Sequence, residues 1–173
     1  MKKTLITFLL IMSSYVILGN TLSNIEIPNE AIRIRVIANS NSTYDQTIKK
    51  EVKELVEKNM YTLLKDTKEI TKAREKIKGE LSYLEQEIGI LLKNKNYPYS
   101  YKVHFGYNYF PEKEYKGIIY EEGMYESLVV SLGEAKGDNW WCVLFPPLCL
   151  LEAEESTEVE YRSFVKEMLE KYF

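Results

Sequence analysis

The chain has 173 residues, with 23 Lys and Arg against 26 Asp and Glu, a formal net charge of -3 and one histidine. That length has room for one domain with a sizeable core. The basic residues are interleaved with acidic ones instead of gathering in a block, so the electrostatic footprint of a nucleic-acid binder is excluded.

The first predicted element is a leader. Lys2 and Lys3 precede the apolar run Leu5 to Met12, and no charge returns before Glu26. This is the layout of a secretory signal over residues 1–24, with an exported domain at residues 25–173. Its apolar core from Leu5 to Leu18 is broken by Thr7, Ser13 and Ser14 and is shorter than the ~20 residues of a spanning helix. Cleavage is the favoured expectation; a retained anchor, holding the domain close to a membrane, is the alternative.

Ile32 to Ile37 alternates apolar residues with Arg33 and Arg35, which reads as a half-exposed strand. Ala38-Asn39-Ser40-Asn41-Ser42 suits a turn, and Ser42 with Asp45 has the form of a capping box. A helix is predicted from Thr43 to about Lys65, with Ile48, Val52, Leu55, Val56, Leu63 and Leu64 on its apolar face. A second helix after Asp66-Thr67 carries Ile70, Ala73, Ile77, Leu81, Leu84, Ile88 and Leu91, a stripe that fits packing on a sheet better than a coiled coil. Asn94 to Pro98 ends it.

From Tyr99 the period changes to two, with Tyr101, Val103, Phe105, Tyr107 and Tyr109 on one face and Lys102, His104, Gly106 and Asn108 on the other. Extended segments follow at Tyr115 to Tyr120 and Met124 to Leu132, joined by Glu121-Glu122-Gly123 read as a hairpin turn. Gly133, Gly137 and Asp138 break the pattern. After an acidic stretch from Glu152 to Glu160, Tyr161, Val165, Met168, Leu169 and Tyr172 mark a short final helix. The expected fold is a single α+β domain, a mainly antiparallel sheet with two long amphipathic helices on one face and a short C-terminal helix.

Asn139 to Cys149 holds both tryptophans and both cysteines. Pro146 and Pro147 cannot continue a helix or fill a central strand, so a stiff, irregular apolar loop is expected. It reads either as a plug in the domain's own core or as a knob for another protein. For Cys142 and Cys149, a bridge across the Pro-Pro turn, two free buried thiols and a zinc site are weighed. Zinc is the weakest, because two thiols and one histidine fall short of four ligands. No phosphate loop, metalloprotease helix or nucleophile elbow is present. His104 sits on a polar strand face, and its pairing with Cys142 in a thiol hydrolase has no support in the spacing. No catalytic residue, metal site or cofactor is assigned, and the chain is not expected to be an enzyme.

Two segments go beyond generic patterning. Ile32 to Ser42 with Asp45-Gln46, and then Gly123 to Leu128 with Gly133 to Cys149, resemble the stage II sporulation protein R family. Departures fall at Arg35, Asn41 and Ser127, where that family tends to carry histidine, aspartate and alanine, and at Glu121-Glu122. The resemblance implies a messenger exported from the forespore into the space between the two sporangial membranes. There it would switch on a membrane-embedded aspartic protease of the mother cell, stage II protein GA, which removes the pro-sequence of sigma factor E. It supplies no catalytic residue. The expected contacts are Trp140, Trp141, Phe145, Pro146 and Pro147, oriented by Asn139 and Glu134. The alternatives are an extracytoplasmic thiol-dependent hydrolase and a purely structural domain closed by a Cys142–Cys149 disulfide.

Overall fold

The computed structural model describes residues 27–150 and 158–173. The expected leader and most of the acidic stretch from Glu152 lie outside these residues. Strand β1 (Ile32–Ile37) is followed by helices α1 (Thr43–Leu64) and α2 (Ile70–Asn94). Then come β2 (Tyr101–Phe110), β3 (Lys113–Tyr115), β4 (Ile118–Tyr120), β5 (Gly123–Leu132), β6 (Asn139–Phe145), a single 3-10 turn and α3 (Glu158–Tyr172). Among the described residues, no helix is long and apolar enough to cross a membrane.

In α1 the buried apolar side chains are Ile48, Val52, Val56, Met60 and Leu64, a strict four-residue spacing that keeps one row on the sheet. Met60 completes the row between Val56 and Leu64. In α2 the buried residues are Ala73, Ile77, Leu84, Ile88 and Leu92. Each fully buried aliphatic side chain contributes about 1.5–3 kcal/mol, so these rows outweigh the marginal helicity of such segments in water. Arg74 on α2 grips Glu126 of β5 at 2.8 Å from Nε and 2.7 Å from Nη2, fixing the helix against the sheet.

The four-stranded sheet has the order β2-β5-β1-β6, with β1 parallel to β5 and antiparallel to β6. The β2–β5 ladder runs through ten consecutive pairs. Ile32, Ile34, Val36, Leu128, Val130 and Leu132 meet α1 and α2 on one face. The other face is covered at one end by α3 and the β3–β4 hairpin, where Ile118, Tyr120, Val143, Tyr161, Val165 and Met168 form a second core.

Three expectations are corrected. β1 is not half-exposed: it lies inside the sheet under helices on one side and under α3 and the hairpin on the other, and Arg33 is only 1% exposed. Tyr115 to Tyr120 is not one strand but a tight hairpin, turned by Lys116 (φ 47) and Gly117 (φ 73). Glu121-Glu122 is consequently a crossing between two sheets, since β4 pairs with β3 and not with β5.

Candidate interaction site

The segment after β1 and the segment before β6 lock into one unit. Asn39 Oδ1 accepts the backbone N–H of Glu134 at 2.9 Å, and Asn41 Oδ1 accepts that of Asp138 at 2.6 Å. Backbone N–H groups of Lys136 and Gly137 donate to Asn39 O and Ala38 O at 3.1 and 2.9 Å. Lys49 on α1 donates to Asp138 O at 3.2 Å. Gly133 takes the left-handed conformation (φ 56), and a Cβ there would strike the Asn39 side chain.

Asp45 holds the unit from beneath. Its Oδ2 accepts Asn39 Nδ2 at 2.9 Å and Ser40 Oγ at 2.5 Å, while its backbone N–H caps onto Ser42 Oγ at 3.1 Å. Only half of the expected capping box therefore forms, because the carboxylate turns back to the loop and Ser42 N–H goes to Ser40 Oγ instead. Burial by itself would raise the Asp45 pKa, but the hydrogen bonds from Ser40, Asn39 and Ser42 outweigh it and hold the carboxyl below its ordinary value.

The run Asn139 to Phe145 is an edge strand rather than an irregular loop, and both prolines lie just beyond its last residue. Its side chains divide between the two faces. Trp140 lies on the helix side, with Lys53 Nζ 5.0 Å from its ring centroid. Trp141 lies on the other side, edge-on to Phe110 and Tyr120 at 5.9 and 5.0 Å. A register shift between Ile32 and Arg33 turns Phe145 onto the helix-side core, where it meets Tyr172 at 5.1 Å. Phe145, Pro146 and Pro147 are buried in the domain itself, whereas Trp140, Trp141 and Asn139 are half-exposed and Glu134 is exposed. The accessible contact candidates are thus the two indoles and the two polar groups. Glu134 pairs with Lys136 at 2.6 Å on the surface.

Cys142 and Cys149 are free thiols, both turned toward Val143 O, with Cys149 Sγ at 3.0 Å from it. Burial, then the neighbouring Cys142 thiol, pushes the Cys149 thiol well above its ordinary value. His104 lies on β2, the opposite sheet edge from β6, and points to the other face. Three strand spacings put about 14 Å between those edges, so no Cys142–His104 pair forms. The crevice beside Cys149, lined by Ile34, Met60, Leu144 and Pro147, has a volume of about 30 Å³, room for about one water. Among the described residues no cluster of His, Cys, Asp or Glu is arranged to hold a metal ion.

The sequence reading missed Asn39, Asn41 and Lys49 as members of this site. Short polar residues before a helix and glycines before a strand were visible, but their pairing across more than ninety positions was not.

A family model described as Stage II sporulation protein R (spore_II_R) matches residues 28–155. Stage II sporulation protein R of Bacillus subtilis (strain 168) is 37% identical over 148 residues, covering 84% of this chain and 66% of that protein. The chain therefore spans just under two thirds of the length of that relative. No solved structure matches. Because the family match takes in both locked loops and all of β6, and the relative agrees over most of the chain, this protein belongs to the stage II sporulation protein R family.

Proposed function

We propose that the domain is an exported sporulation messenger. It docks on the outward-facing part of the membrane-embedded aspartic protease of the mother cell, in the space between the two sporangial membranes, and so promotes processing of the pro-form of sigma factor E. Family membership supports the role in sporulation. The observation that carries the docking reading is the locked unit itself. The loops of the two segments by which the sequence resembles the family meet at one end of the sheet, beside the half-exposed Trp140 and Trp141. Loops pinned by this many bonds lose little freedom on binding, and indoles are the side chains interfaces favour. Activation requires the protease's active arrangement to bind the domain better than its inactive one, since equal binding shifts nothing.

The test is complementation of a sporulating strain that lacks its own family member, with Trp140→Ala and Trp141→Ala variants whose folding is checked by circular dichroism. Folded variants are expected to leave the pro-form of sigma factor E unprocessed. Normal processing by both folded variants refutes docking through the indoles.

A further inference from the structure

Among the described residues, the second face of the sheet is only partly covered. Past the end roofed by α3 and the hairpin, the register places His104, Arg35 and Trp141 in one cross-strand row and Lys102 and Asn139 in the next. Lys102 and His104 are exposed and Arg35 and Trp141 half-exposed. None of the side chains that the four strands direct to this face is acidic.

The two sheet faces treat their arginines differently. On the helix side, Arg74 has its carboxylate in the same chain, held bidentately by Glu126. Among the described residues Arg35 has none: its Nε is without a hydrogen-bond partner, and its Nη1 reaches Tyr109 O at 3.5 Å. A guanidinium offers a planar fork of donors matched to a carboxylate, and leaving those donors unmade at a desolvated site is unfavourable. Arg33, two residues back along β1 on the same face and likewise without a carboxylate partner among the described residues, adds a second, buried positive charge to this face.

We propose that this uncovered part of the sheet is a docking surface for an acidic segment of a protein partner, with one partner carboxylate seated on Arg35 and others near Lys102 and His104. The proposal rests on the reading of the domain as a messenger and names the chemistry its receptor presents, an acidic stretch on the protease's outward side. A membrane fits less well. Anionic bilayers are read by clusters of freely extended Lys and Arg, whereas Arg35 is half-exposed with its Nε buried and its guanidinium 5.7 Å from the Phe110 ring. A side-chain carboxylate can reach into that position, and a planar layer of headgroups cannot.

The experiment titrates the domain with the purified outward-facing portion of the protease at about 50 and 500 mM salt, a range over which exposed charge pairs are screened. The variants are Arg35→Glu and the exposed double change Lys102→Glu with His104→Glu. Lys58→Glu on exposed α1 serves as a control that reverses one charge elsewhere, and unchanged melting temperatures establish folding. Expected are weaker wild-type binding at high salt, a loss of about tenfold or more in each face variant from like-charge contact, and no loss in the control.

Wild-type binding that ignores both face variants overturns the surface while leaving the messenger reading in place. Absence of wild-type binding overturns both. The surface is equally refuted if the face variants lose only binding to phosphatidylserine vesicles, or if sedimentation shows a wild-type dimer that Arg35→Glu dissolves.

Discussion

The Arg33 guanidinium lies 3.3 Å from the centroid of the Tyr125 ring, with Phe110 and Trp141 at 5.4 and 5.5 Å. It is a buried cation surrounded by ring faces and edges, and its Nε and Nη1 have no hydrogen-bond partner. Burial accordingly pushes its pKa down. Desolvating a cation costs several kcal/mol, and contacts with aromatic faces, up to about 2 kcal/mol each when dry, offset only part of that. Arg33→Met, which keeps the volume and removes the charge, is therefore expected to be neutral or to stabilise by up to about 2 kcal/mol in urea unfolding. Tyr125→Ala, which strips the ring from beneath a charge that stays buried, is expected to cost about 3 kcal/mol or more. A loss above about 2 kcal/mol in Arg33→Met would show a net stabilising guanidinium.

Asp45 predicts a pH dependence with a definite sign. Its folded pKa lies below the unfolded value of about 3.9. The stability it contributes is therefore complete above that unfolded value and is lost as pH falls through the folded one. Asp45→Asn is expected to lower stability at pH 7 by about 2 kcal/mol, from weakened bonds to Asn39 and Ser40. The gap between the two proteins should narrow as pH falls below about 4. Denaturant titrations at pH 7, 4 and 3 measure it, and a gap that widens on acidification contradicts the assignment.

How much of this was legible depended on distance along the chain. The rows of α1 and α2 and the alternation of β2 are local periodicities, and they were readable from the residues. Arg33 was misjudged because the rings that enclose it, Phe110, Tyr125 and Trp141, arrive from strands far along the chain. Lys116-Gly117 lacks the Asn or Asp that usually flags a tight hairpin, so two strands read as one. The two prolines drew the whole Trp-Trp run into a loop, although they act only after Phe145. The indoles were recognisable as candidates. The bonds from Asn39 and Asn41 that pin the neighbouring loop were not, because nothing local announces which backbone they will cap.

Two glycines, Gly137 in the locked loops and Gly79 in α2, predict opposite outcomes. A Cβ on Gly137 would lie 2.9 Å from Ser40 Cα and closer still to the Ser40 carbonyl, which is backbone and cannot step aside. Gly137→Ala is expected to cost about 1–3 kcal/mol through overpacking. Gly79, exposed in the middle of α2, has nothing within 4 Å of the same atom. Gly79→Ala should stabilise by about 0.5–1 kcal/mol through helix propensity. Thermal unfolding of the two variants side by side tests both signs.

Cys149 bears on whether any thiol chemistry resides here. The thiolate is the nucleophile, and a useful one needs a lowered pKa from nearby positive charge or a helix N-terminus. Here burial and the adjacent Cys142 raise it instead, with Lys53 only a minor opposing influence. In a Cys142→Ser variant, where Cys149 is the remaining thiol, iodoacetamide at pH 8 is expected to label the folded domain at least about tenfold more slowly than the urea-unfolded chain. Rapid labelling of the folded domain, with a midpoint at or below the ordinary thiol value of about 8.5, would instead mark an activated nucleophile. That result would revive hydrolysis as the function to pursue. Slow labelling leaves β6 acting through its indoles, and Cys149 as a small apolar side chain packed against the helix-side core.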